Sequence, residues 1–161
     1  MNRTRGWRRT VGMKRGEIAP EFELPDHDGV PRRLSTLLGA GPVVLFFYPE
    51  ASSSGCTAEM CSVRDLDGQF AAAGAQRVGI SRNTVPEQKK FAHSNGLGYP
   101  LLADVNGAVC AAYGVARNLR AAPVKRHTVV IGADGVVREV FRSGFRFTAH
   151  ADKALVALTA R

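Results

Sequence analysis

The stretch Pro42-Val43-Val44-Leu45-Phe46-Phe47-Tyr48 is one continuous apolar run, closed by Pro49, and it constrains the chain more than any other feature. A run without alternation is what a strand covered on both faces shows. Such a strand needs other elements packed against each side of its sheet. Past Pro49, Ser52-Ser53-Ser54-Gly55 offers hydroxyl caps, and from Thr57 to Ala73 apolar residues recur at Met60, Val63, Leu66, Phe70 and Ala73. Spacings of three and four predict an amphipathic helix. Cys56 therefore falls where a buried strand hands over to a helix, the corner at which open α/β sheets place ligands and catalytic groups.

In the first helical turn, unpaired backbone N–H groups and the positive end of the helix dipole favour an anion over a neutral thiol. A thiol placed there can have its pKa drawn from about 8.5 down to roughly 3.5–7.5, and the thiolate is the nucleophile. Cys61 lies five residues further on. On an α-helix that spacing means about 7.5 Å of rise and a Cα separation of about 8.6 Å, whereas a disulfide needs about 4.4–6.8 Å. If Cys56 and Cys61 bond to each other, the first turns of the helix must unwind. These residues point to a redox enzyme.

The motif Pro49, Ser53, Cys56, with a second cysteine at Cys61, resembles the active-site signature of the peroxiredoxins, and within them the bacterioferritin-comigratory or Q type. The resemblance extends from Gly16 to the C-terminus. Gly16-Glu17-Ile18-Ala19-Pro20-Glu21-Phe22-Glu23-Leu24 with Asp28-Gly29 is similar to the family's opening, and Val78-Gly79-Ile80-Ser81 to its second core strand. Leu101-Leu102-Ala103-Asp104 and Tyr113-Gly114-Val115 are similar to its later landmarks, and Arg126-His127-Thr128 to the segment that brings an arginine to the thiolate.

The resemblance implies a thioredoxin-like fold and reduction of hydrogen peroxide and organic hydroperoxides. Cys56 is then the peroxidatic residue, becoming a sulfenic acid, and Cys61 the resolving residue that condenses with it to a disulfide. Thioredoxin or a similar dithiol would recycle that disulfide. Arg126 is expected to stabilise charge as it moves from sulfur to the peroxide oxygens, Ser53 to offer a hydroxyl to the thiolate and peroxide, and Pro49 to shape and shield the loop. The family most often has Thr at position 53 and Pro at position 54, and this chain has Ser at both. Serine keeps the hydroxyl, while the loss of proline leaves the backbone freer, so a less preorganised site is expected. No cofactor and no metal is implied, and the expected state is a monomer.

Other functions and blander roles stay open on the residues alone. A free cysteine often acts as a small buried hydrophobe, and Cys110, in Val109-Cys110-Ala111-Ala112-Tyr113, is expected to do so. Arg126 could be a surface strand residue. A non-enzymatic redox sensor shares the first chemical step, and a copper-handling protein of thioredoxin fold would use paired cysteines with histidine. His27, His93, His127 and His150 show no metal-ligand spacing and are expected at surface or loop positions. There is no dinucleotide, phosphate-loop or nucleophile-elbow motif.

The 161 residues, 45% hydrophobic and 22% charged, suit a single globular domain. Strand-like character is expected at 22–24 and strands near 42–48, 77–81, 127–131 and 136–141, with helices near 57–73, 85–95, 107–113 and 149–160. Gly132-Ala133-Asp134-Gly135 reads as a hairpin turn. The expected class is α/β, a mixed central β-sheet flanked by helices. Six of the eight net positive charges lie in residues 1–15, which contain no acid, so the domain proper is 16–161 and the first fifteen residues are expected to be a disordered basic extension. Members of the family begin close to Met13, so a start codon wrongly placed upstream is the expected account of the extension, with a disordered basic arm as the alternative. Arg8-Arg9 is followed by no apolar segment of a signal peptide, and no stretch reaches the ~20 apolar residues of a membrane span. The expected location is cytoplasmic, with neither nucleic acid nor membrane as a partner.

Overall fold

The computed structural model describes residues 11–117 and 123–160. Its centre is a five-stranded sheet of β3 (Val43–Phe47), β4 (Gln76–Ser81), β5 (Leu101–Ala103), β6 (His127–Ile131) and β7 (Val137–Arg142), in the order β5-β4-β3-β6-β7. The first three of these run parallel, and β6 and β7 are antiparallel. A separate ribbon pairs β1 (Glu23–Pro25) with β2 (Pro31–Arg33). The helices are α1 (Leu34–Leu38), α2 (Ser54–Asp65), α3 (Asp67–Ala72), α4 (Val85–Ser94), α5 (Ala108–Ala112) and α6 (Ala149–Thr159). The mixed sheet with flanking helices is the expected thioredoxin-like arrangement.

β3 is buried along its whole length, as its uninterrupted apolar run requires. Because side chains alternate across a strand, Val43, Leu45 and Phe47 enter one core with Phe22, Tyr113 and Cys110, while Val44, Phe46 and Tyr48 enter a second with Cys56, Met60 and Phe70. The single expected helix over 57–73 is two helices. Leu66, at φ −95° and ψ 21°, ends α2 and precedes α3, so Phe70 still reaches the core although the helix axis breaks. Gly79 in β4 lies beneath α2, where a Cβ would come within 2.6 Å of Leu101 and 3.2 Å of Tyr48.

Residues 1–10 of the expected basic extension lie outside the described residues. Residues 11–15 are held against the domain: Met13 is fully buried in the first core, its carbonyl accepts from Arg142 Nη2 at 2.6 Å, and Gly16 N donates to Val137 O at 2.8 Å. A methionine among the basic residues supplies the apolar anchor.

Candidate active site

Pro49 ends β3, and the chain turns through Glu50-Ala51-Ser52 into α2. Ser52 takes a left-handed φ of 65°, a conformation that a non-glycine residue adopts at some cost and that surrounding contacts must hold. Asn83 supplies those contacts. Its Oδ1 accepts from Ala51 N at 2.9 Å, and its Nδ2 donates to Glu50 Oε1 at 2.6 Å. Ser53 caps α2, its Oγ accepting from Cys56 N at 3.4 Å and donating to Glu50 O at 3.0 Å. The hydroxyl proton is therefore engaged by a backbone carbonyl, and the Ser53 side chain must rotate before it can serve a sulfur or a peroxide.

Cys56 is the third residue of α2 and fully buried. Arg126 reaches it through strand register. β6 runs antiparallel to β3 with His127 opposite Phe47, so the residue just before β6 arrives beside the end of β3, on the face shared by Phe46 and Thr128. Arg126 Nη2 donates to Cys56 Sγ at 3.3 Å. The guanidinium is itself buried, ion-paired through Nη1 with Glu59 Oε2, and packed 4.8 Å from the Phe147 ring centroid. Phe147 also closes the loop from outside, since a Cβ at Gly55 would stand 2.7 Å from its ring.

Glu59 is fully buried, and burial pushes its carboxyl up to about 8 while Arg126 pulls the other way. Among the described residues its Oε1 has no hydrogen-bond partner, and it lies 3.8 Å from His150 Nδ1. His150 Nε2 meets Ser143 O at 2.9 Å and its Nδ1 meets Thr128 Oγ1 at 2.7 Å. A carbonyl only accepts, so Nε2 carries the proton and the Thr128 hydroxyl donates to Nδ1. Burial lowers His150 to about 4 and His127 likewise to about 4. Both histidines are thus interior, against the expectation of surface or loop positions: β6 is buried along its length, and α6 brings His150 down onto Thr128.

Cys61 is half-buried on the same helix, and its thiol donates to Asn95 Oδ1 at 3.8 Å. Both cysteines are free. The structure thus brings Cys56, Ser53 and Arg126 together at the β3–α2 corner, with Pro49 at its entrance, and sets Cys61 one and a half turns along. Glu59, Asn83, Phe147 and His150 were not foreseen as part of the site. Only Glu59 carried a usable signal: three residues beyond Cys56, it must share a helix face with it.

Residues 15–140 match the AhpC/TSA family. The chain belongs to that family. A Mycobacterium tuberculosis protein named a peroxiredoxin is 53% identical over 150 residues, spanning 92% of this chain and 97% of that one. A chloroplastic peroxiredoxin Q of Sedum lineare is 37% identical, covering 91% of this chain and 78% of its own length. Among solved structures, a peroxidoxin of M. tuberculosis superposes with a TM-score of 0.88 at 53% identity, covering 91% of this chain and 96% of that chain. A peroxiredoxin Q of Xanthomonas campestris superposes at 0.80 with 29% identity, covering 87% and 90%. The chain is an AhpC/TSA thiol peroxidase of thioredoxin-like fold, an oxidoreductase that works through cysteine. No helix among this peroxiredoxin's described residues is long and apolar enough to cross a membrane.

Proposed function

We propose that Cys56 is the peroxidatic cysteine of this peroxiredoxin and Cys61 its resolving cysteine. The observation that carries the assignment is the Arg126 guanidinium donating to the buried Cys56 sulfur at 3.3 Å, a fixed positive charge where the reacting anion must sit. The Cys56 thiolate attacks one oxygen of a hydroperoxide. The O–O bond breaks, sulfur is oxidised to the sulfenic acid, and the departing oxygen takes a proton as water or alcohol. Arg126 stabilises the negative charge as it spreads from sulfur to the peroxide oxygens, and its rigid fork can serve both at once. Pro49 and Phe147 limit water at the site, and Ser53 joins it on rotating away from Glu50.

Cys61 then attacks the Cys56 sulfur, the S–O bond breaks, and water leaves. Because both cysteines sit on α2, their Cα atoms on a regular helix are about 8.6 Å apart, so closure to a disulfide requires α2 to open locally. An external dithiol, thioredoxin or one like it, restores the two thiols. This reading takes the domain of residues 16–161 as a cytoplasmic monomer that needs neither cofactor nor metal, nucleic acid nor membrane.

Peroxide consumption with a thioredoxin recycling system checks the assignment in three proteins. Cys56→Ser is expected to lose all turnover, and Cys61→Ser to consume one equivalent of peroxide and stop. Wild-type turnover by Cys56→Ser would overturn it, and stoichiometric oxidation of the wild type without recycling by any dithiol would favour a sensor.

A further inference from the structure

The two halves of α2 are held by different neighbours. Its first turns are tied to β6 through Cys56, Glu59 and Arg126. The segment around Cys61 is tied to the end of α4 through Asn95, and to other parts of the chain through Tyr99 Oη, which donates to Met60 O at 2.6 Å, and Arg77 Nη1, which donates to Val63 O at 3.0 Å. Asn95 is the C-cap of α4. Its Nδ2 donates to Phe91 O at 3.0 Å, which fixes the amide so that Oδ1 faces the Cys61 thiol at 3.8 Å. The Asn95 backbone carbonyl accepts from Arg64 Nη1 at 2.6 Å. Cys61 and Arg64 are three apart and share one face of α2, so they grip the side chain and the backbone of the same residue. None of these bonds reaches Cys56, Arg126 or Glu59.

We propose that Asn95 is a positioning residue for the second step of the reaction, a latch that holds Cys61 against α4 and so sets how long the Cys56 sulfenic acid waits before condensation. The proposal rests on Cys61 being the resolving residue. Condensation requires Cys61 to leave Asn95 as α2 opens. While it is held there, a second peroxide can oxidise the Cys56 sulfenic acid to a sulfinic acid, with water or alcohol as the other product. The latch therefore divides the sulfenic acid between the disulfide and the overoxidised form, and it leaves the first attack untouched.

The test is a single turnover of the reduced full chain with hydrogen peroxide, following peroxide loss for the first step and, by quenched thiol alkylation and mass spectrometry, the disulfide and the sulfinic acid. In Asn95→Ala, peroxide loss is expected to keep its wild-type rate while the disulfide forms about two- to fivefold faster, the size of one weak S–H···O bond, and the sulfinic fraction falls. Arg64→Met, which removes the other grip and serves if Asn95→Ala does not fold, is expected to speed the same step. Unchanged or slower disulfide formation in Asn95→Ala or, failing it, Arg64→Met would overturn the proposal. A wrong resolving cysteine shows separately, because the wild type would then form no Cys56–Cys61 disulfide.

Discussion

Cys56 and Cys110 occupy matching places on opposite sides of the sheet. Each is the third residue of a helix that follows a core strand, and each is fully buried, one in either core. Their surroundings differ in the sign of the nearest charge. Cys56 N is capped by the neutral hydroxyl of Ser53, and its sulfur accepts from Arg126. Cys110 N donates at 2.8 Å to the Asp104 carboxylate, and burial first, with Asp104 second, pushes its thiol well above the ordinary range. Position at a helix start does not by itself distinguish the two thiols. A guanidinium faces one sulfur, while burial and then a carboxylate raise the other thiol.

Removing the cation should break the contrast. Arg126→Met is expected to lower kcat/KM for peroxide about 100- to 1000-fold, the usual loss when a donor to developing negative charge is deleted. A variant that kept its rate would show that helix position suffices after all.

The next effect concerns stability, since buried titratable groups lie on both sides of the sheet, His150 and Glu59 on the Cys56 side and His127 on the face of Phe47. His150 and His127 are pushed down to about 4 by burial. Below the unfolded value of about 6.5, the unfolded chain binds protons that the folded chain refuses, so their contribution is whole above that pH and is lost toward pH 4. Glu59 works in the opposite sense. With its carboxyl raised to about 8 by burial, its contribution is present below the unfolded value of about 4.3 and is lost as pH rises toward 8. The thermal midpoint is therefore expected to fall from pH 6.5 to pH 4, and Glu59→Gln to flatten the profile between pH 6.5 and 8. Parallel profiles for wild type and Glu59→Gln in the upper range would contradict the raised carboxyl. Last and smallest, Cys110→Ala is expected to leave turnover within about twofold of wild type and to lower stability by about 1 kcal/mol, as loss of one small buried group does, a null result on activity that sharpens the contrast.

Sequence and structure agree where one local signal dominates. The unbroken apolar run placed β3, the threefold and fourfold spacing placed α2, and Thr84 with Glu87 gives α4 both halves of a capping box. Three of the shorter elements escaped. β2 begins at a proline, α1 lacks a side-chain cap, and β5 has only Leu101, Leu102 and Ala103, too little chain for periodicity to register. Glu59 escaped for another reason: its spacing from Cys56 put it on the same helix face, but a glutamate there reads as solvent-facing unless a partner is known, and that partner, Arg126, is 67 residues away. Arg126 itself was legible only by family resemblance, because a single arginine before a strand has no pattern. His150 and Asn95 owe their roles to how α6 and α4 dock, and docking leaves no trace in spacing.

The 70 residues between Cys56 and Arg126 also order events in time. During synthesis, at about 5–20 residues per second, Cys56 leaves the ribosome several seconds before the arginine that will face it, and β6 must still find its place beside β3. Until that late pairing is made, the Cys56 sulfur has no guanidinium beside it. The growing chain is thereby spared from reacting with peroxide before it has the fold to recover from doing so.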